Sequence, residues 1–491
     1  MISPFLVLFI LVAYFLLLFY ISHLTSKGSN EESFFTGNRK SPWFIVAVGM
    51  IGTAISGVTF VSLPGTVFTN GYHYGQFILG NMVGYLFVML ILIPLYYRLK
   101  LVSIYTYLEK RFGWYSYKTG SFIFIISRSF GAALRMLLAI KILSVFFQEW
   151  NLGILVLGIL SMILVYLYTY KSGVKTLVWT DFVQTIFLVS AAVFVVITIF
   201  NQLNLPFSDI ISIAEEKKYL DFFDWDWKNK QFFWKQFASG ILIAIAMTGL
   251  DQDMMQKSLT IKNAKDAQKN TFLFSLFVAL VQMLFLFLGV MLYIYADYFH
   301  IALPLKDGFI ETDKVFPEMV KHGYFGIVTS IMFLLGISAA AFASFDSALT
   351  ALTTSFSYDF LSIDKRKNQK RIKNMVHVGF SIFLLAIMVV FSDAKGDIFG
   401  LIFSLAGYTY SPLLGVFMLG IFTKIQWNDK SVPFACILAP IFAYYFNQYL
   451  LNNFQFDMGF LTIFTGAIFT VLMIVLSKVL ILMFLSNKIK I

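Results

Sequence analysis

The stretch SPWFIVAVGMIGTAISGVTFVSLPGTVF, Ser41 to Phe68, decides how the chain folds. Its flanks are apolar enough for a membrane helix. Its middle is not: Gly52, Thr53, Ala54, Ser56, Gly57 and Thr59 crowd together there, and Pro64 and Gly65 follow. Small and hydroxylated residues at the centre of an apolar run predict a helix break near the bilayer midplane, which frees backbone carbonyls that water, protein or an ion must satisfy. A second apolar run, near residues 235 to 250, has a matching irregularity at Ala246, Met247, Thr248, Gly249, Leu250, Asp251 and Gln252. Two interrupted helices five apart in order point to inverted repeats, with a binding site at the midplane.

The rest of the chain agrees with a membrane setting. Of its 491 residues 59% are hydrophobic and only 13% charged, where soluble proteins carry about 25% charged residues. A crossing needs about 20 apolar residues, and the expected helices lie near residues 3 to 22, 43 to 68, 76 to 97, 120 to 147, 153 to 170, 176 to 200, 235 to 250, 271 to 297, 323 to 358, 375 to 392, 398 to 422, 432 to 450 and 459 to 484. The fold class expected is therefore all-α, a polytopic membrane protein of about 13 transmembrane helices, with residues 1–491 forming one membrane domain. Within it, 43–200 read as the first inverted repeat and 235–422 as the second. Residues 3–22 and 432–484 are accessory. The run from Pro4 to Tyr20 lacks a basic leader and a small-residue cleavage site, so it reads as an uncleaved helix rather than a signal peptide.

Charge fixes an orientation and excludes other classes. The net charge of +11 lies in loops, which removes nucleic acid as a partner. Lysine and arginine gather in alternate short loops: Lys27, Arg39 and Lys40; Arg98, Lys100, Lys110, Arg111 and Lys118; Lys171 and Lys175; Lys257, Lys262, Lys265 and Lys269; six from Lys365 to Lys373; Lys424 and Lys430; Lys488 and Lys490. The opposite short loops carry only Lys395. That asymmetry predicts a multi-pass protein of a bacterial inner membrane, N-terminus outside and C-terminus cytoplasmic. Five histidines without metal-ligand spacing and one cysteine, Cys436, argue against an enzyme or a multi-cysteine metal centre. No ring-forming charged motif argues for a channel. The long outer loop from Asn201 to Trp234 contains FFDWDW, Phe222 to Trp227, which reads as an amphipathic interfacial helix.

The helix from Gly336 to Asp359, GISAAAFASFDSALTALTTSFSYD, is the other unusual element. Ala340, Ala343, Ser344 and Ser347 share one face by three- and four-residue steps, with Asp346 beside them. Small residues of this kind also let membrane helices pack closely. An acid within a membrane segment, however, marks a functional site, and converging oxygens suit a small hard cation such as sodium. Arg128 and Arg135 lie seven apart on one helix face and must each find an anion or a carboxylate. Arg135 is placed to hold a substrate carboxylate or to pair with a protein acid such as Asp251. Arg128 reads as part of an inner gate or as a snorkelling side chain.

With these motifs assembled, the chain resembles the sodium/solute symporter family over roughly residues 35 to 425. The resemblance rests on GTAISGVTF with LPG at Gly52 to Gly65, KTLVWTDFVQ at Lys175 to Gln184, GLDQDMMQKSLT at Gly249 to Thr260, SAAAFASFDSALTAL at Ser338 to Leu352 and LAGYTYSPLLGVFMLGIFTK at Leu405 to Lys424. It implies the LeuT-type fold of inverted five-helix repeats. It also implies a shared sodium site at the carbonyls of Gly52, Ile55 and Ala340 with side chains at Ala343 and Ser344. Ala343 departs from the pattern, because a hydroxyl is usual there. A second sodium site is implied at Asp181, with Asp346 and Ser347 as partners; the two acids would share either one cation or one proton. For the solute the resemblance implicates Thr59, Asn81, Asp251, Gln282, Tyr408 and Thr409, with Arg135 in the role that an arginine of the equivalent helix has in sialic-acid carriers. The sugar signature is not reproduced, since Val278 stands where a lysine is expected.

The function expected is sodium-coupled import of a small organic solute, whether sugar, sialic-acid-like or another carboxylate, by alternating access. The alternative is a proton-coupled or cation-dependent transporter or sensor of the same fold. Sodium is the coupling ion, the lipid bilayer and a small-molecule solute are the partners, and no obligate protein partner is expected.

Overall fold

The computed structural model describes residues 3–150, 152–171, 173–306, 308–392 and 398–489; Lys395 and Lys490 lie outside them. Helices form where apolar residues run long enough to cross a bilayer, so that every backbone polar group is met within its own segment. In chain order they are α1 (Pro4–Thr25), α2 (Trp43–Ala54), α3 (Gly57–Asn70), α4 (Tyr74–Arg98), α5 (Trp114–Ser144), α6 (Ile154–Thr169), α7 (Val174–Leu203), α8 (Phe207–Glu216), α9 (Phe233–Gly249), α10 (Gln252–Ser258), α11 (Ala264–Tyr298), α12 (Thr312–Lys321), α13 (Gly326–Phe360), α14 (Gln369–Val390), α15 (Ile398–Phe422), α16 (Val432–Phe454) and α17 (Thr462–Ile489).

Both expected breaks are present. α2 and α3 meet at an angle of 63°, and α9 and α10 at 67°. Pro64 sits inside α3 without ending it, so the bend lies at Ile55 and Ser56. Among the described residues ten helices are long and apolar enough to cross a membrane, and each bent pair supplies one more crossing. The thirteenth apolar run, α6, has 16 residues and so spans about 24 Å, short of the ~30 Å hydrocarbon core.

Glycine brings α4 against the second interrupted helix. A Cβ on Gly80 of α4 would stand 2.0 Å from the Phe237 carbonyl oxygen of α9, and one on Gly240 would stand 2.2 Å from that of Phe77. Only glycine permits that approach, the small-residue contact by which membrane helices pack backbone to backbone.

The long loop between α7 and α9 corrects one expectation. Residues Phe222 to Trp227 form no helix; the amphipathic helix lies upstream, as α8, with Ile210 and Ala214 buried. The aspartates of FFDWDW are the reason. Asp224 accepts from the Asp226 backbone N–H at 2.8 Å and Asp226 from that of Lys228 at 3.0 Å, local turns that compete with helix formation. The second long loop carries the small hairpin β1 (Leu305–Lys306) and β2 (Phe309–Ile310), followed by α12.

Candidate functional site

At the first break the backbone leaves the helix at Ile55 (φ −92°, ψ 93°) and re-enters after an extended Ser56. The Ile55 N–H still donates to Ile51 at 2.8 Å, and Phe60 donates to Ser56 at 3.0 Å. Between these bonds no described donor reaches the carbonyls of Gly52, Thr53, Ala54 or Ile55. The second break is different. Tyr96 donates its hydroxyl to the Gly249 carbonyl at 2.8 Å, Tyr105 donates to that of Leu250 at 3.0 Å, and the Asp251 carboxylate caps α10 by accepting from the Asp253 N–H at 2.8 Å. One break is filled by tyrosines. The other keeps four carbonyl oxygens free for a ligand, in a setting where an unmet carbonyl costs several kcal/mol.

α13 lies against that open break: a Cβ on Gly57 would touch Ala341 at 3.6 Å. Ala340 and Ala343 are fully buried, and the buried Ser344 hydroxyl has no partner. The five residues expected to form the shared cation site thus belong to two segments in contact, and Ser344 brings an oxygen with nothing else to bind. Ala343 brings none.

The acidic cluster is assembled as expected, but it already holds a cation. Asp181 on α7, Asp346 and Ser347 on α13 and Thr53 at the first break are all buried. Ser347 Oγ stands 3.4 Å from Asp181 Oδ2 and 3.3 Å from Asp346 Oδ1, and Tyr168 of α6 donates to Asp346 Oδ2 at 2.5 Å. Into this ring comes Lys257 from α10. Its ammonium donates to Asp181 Oδ2, to Thr53 Oγ1 and, at 2.6 Å, to Ser347 Oγ. The sequence reading counted Lys257 among the loop lysines; it is instead 2% exposed. The signal was there: if the chain breaks at the midplane near Asp251, six residues of helix rise only about 9 Å, too little to carry Lys257 across half of a ~30 Å core.

Beside the first break lies a cavity of about 90 Å³. Tyr74, Phe77, Asn81 and Tyr85 present one face of α4 to it, and Thr59, Gln282, Val278, Arg128 and Arg135 are among the other residues of its wall. Of the residues expected to meet the solute, Thr59, Asn81, Arg135 and Gln282 are brought together here. No described acid lies within ion-pair distance of Arg135. The nearby acids are taken by Arg128, which pairs with Asp253 and stands 3.9 Å from Asp251. Asp251 is further committed to the Tyr410 hydroxyl at 2.5 Å and to its capping bonds, so it is a structural acid and no part of the cavity wall.

Tyr408 and Thr409 also need correcting. They line a separate apolar cavity with Pro412, Cys436 and Pro440; Tyr408 accepts from Asn447 at 3.1 Å, and Thr409 donates to Leu405 at 2.7 Å. On a helix, Ile402, Ala406 and Tyr410 share a face by four-residue steps, and that face meets Arg128 and Arg135. The right segment was identified, and its third polar residue rather than its first two points inward.

The model of the sodium:solute symporter family matches residues 34–430. The chain is 26% identical over 435 residues to the sodium/sialic acid symporter SiaT of Proteus mirabilis, covering 85% of this chain and 84% of that one. It is 24% identical over 417 residues to the sodium/sialic acid symporter NanT of Aliivibrio fischeri, covering 82% and 80%. A solved structure of a Na+-coupled sialic acid symporter, substrate-bound and outward-open, superposes with a TM-score of 0.82 at 22% identity over 98% of both chains.

Proposed function

The chain belongs to the sodium:solute symporter family, and on that premise we propose that the solute it carries with sodium is a small organic carboxylate held by Arg135. One observation carries this reading: Arg135 is a guanidinium facing a cavity in the membrane interior with no described acid within ion-pair distance to neutralise it. Such a charge is expensive without an anion, and a planar guanidinium meets a carboxylate through two parallel hydrogen bonds. Thr59, Asn81 and Gln282 supply hydrogen bonds to the rest of the solute, and Tyr74, Phe77 and Tyr85 supply apolar faces.

The coupling ion binds at the first break, on the free carbonyls of Gly52 and Ile55, the Ala340 carbonyl and Ser344 Oγ. By drawing α2 and α3 onto α13 it fixes the cavity wall that carries Thr59. At the other end, Arg128 with Asp253, Asp251 and Tyr410 ties α5, α10 and α15 together as the inner gate. Alternating access then follows if solute and ion together stabilise the closed form over the open one, by no more than their difference in affinity for the two. The matching bends support repeats at 43–200 and 235–422, with 3–22 and 432–484 accessory. The lysine-rich loops support an N-terminus outside and a C-terminus inside a bacterial cell membrane.

The test is uptake into proteoliposomes of radiolabelled monocarboxylates, sialic acid among them, under an inward sodium gradient. Accumulation of a carboxylate that collapses without sodium and drops more than about 100-fold in Arg135→Gln is expected. Full uptake by Arg135→Gln would remove the carboxylate assignment.

A further inference from the structure

We infer that the Lys257 ammonium is the tethered occupant of the Asp181 cage, and that the cage therefore binds no sodium while Lys257 is in place, leaving one sodium ion per solute. The inference rests on the sodium-coupled reading above and adds its stoichiometry.

The chemistry is that of an ammonium fully used. It has three N–H donors, and they meet three oxygens from three elements: Thr53 at the first break, Asp181 on α7 and Ser347 on α13. These are the same oxygens a metal ion would need. They converge on one point, and Nζ is that point, so ion and ammonium exclude each other sterically as well as by charge. A buried cation must be paired, and Lys257 is held at 2% exposure with no other described carboxylate within ion-pair distance. The groups facing the cage are accounted for. Asp346 accepts from Tyr168 and Ser347, and Asp253, on the helix that carries Lys257, is neutralised by Arg128. Asp181 Oδ1 has no hydrogen-bond partner among the described residues.

The contrast with the first break sharpens the point. There, four carbonyls and a serine hydroxyl have no donor. A chain with two acid-rich or carbonyl-rich pockets has filled one with its own lysine and left the other open.

The test is equilibrium binding of ²²Na⁺ to the purified full-length protein in detergent, by scintillation proximity. The wild type and Lys257→Arg are expected to saturate at one sodium per chain. Lys257→Met, which keeps the stem and removes the charge, is expected to gain a second, and Lys257→Met with Asp181→Asn to lose that gain. Two sodium ions on the wild type would overturn the inference even if the methionine variant does not fold. So would a monodisperse Lys257→Met protein with no gain, or a gain that survives Asp181→Asn. No sodium on the wild type would sink the sodium-coupled reading instead, while the gain in Lys257→Met would still decide the cage.

Discussion

Ser344 holds a buried hydroxyl with no partner, one residue along from Ala343, which has none to offer. If the ion sits between the first break and α13, Ala343→Ser adds an oxygen to its shell. One charge-assisted contact at a net ~1 kcal/mol tightens half-saturation by sodium about fivefold. Sodium-activation curves of uptake check this, and an unmoved curve would place the ion elsewhere. How far single residues could be read from the sequence depended on what decides their role. That Arg135, Asn81, Gln282 and Thr59 share one cavity was legible because polar groups at membrane depth are few. Tyr408 and Thr409 were misassigned because neighbouring residues on a helix differ by 100° in direction, and only packing sets the zero of that angle. Lys257 was misread because a lysine just past a break looks like a loop lysine until the rise per residue is counted. Asp251 could not be told from a ligand, because its cap of α10 and its bond to Tyr410 depend on where the chain bends and which helix packs there.

At the scale of elements, the two interrupted helices are alike in sequence texture and opposite in state. Small residues and a bend angle were legible for both, since glycine, threonine and alanine at mid-membrane announce a break whatever fills it. Which break stays open was not, because the plug comes from Tyr96 and Tyr105, more than 140 residues away in the chain. Those hydroxyls give a direct prediction. Tyr105→Phe leaves the buried Leu250 carbonyl without a donor and should cost about 1–3 kcal/mol, seen as a lower midpoint of thermal unfolding in detergent. Sodium binding at the first break should be unchanged by it. A loss of sodium binding without a loss of stability would mean that the two breaks are coupled more tightly than their hydrogen bonds indicate.

For the whole molecule, hydropathy alone gave most helix ends to within about three residues, because length and apolarity are local and the bilayer fixes both, but α5, α11 and α14 start six or seven residues earlier than expected, in polar turns that hydropathy does not see. The long loops were not legible to that degree: FFDWDW has the composition of an interfacial helix, yet its aspartates turn the chain. The positive-loop pattern survives the loss of Lys257, since Lys262 remains in the loop and Lys265 and Lys269 lie in the first two turns of α11 that follows it. Lys257 carries a consequence for the molecule in its membrane potential. A cation built into the protein is not carried across with the solute, so one sodium ion with one monovalent carboxylate moves no net charge. Uptake is then electroneutral, and the limit of accumulation is the sodium ratio alone. Two sodium ions would instead let 100 mV add about 2.3 kcal/mol, a roughly 50-fold gain in accumulation. Proteoliposomes clamped by a potassium gradient and valinomycin should therefore accumulate the same solute at 0 and −100 mV. On the proposed stoichiometry and solute, such a transporter works at full reach when the membrane is depolarised.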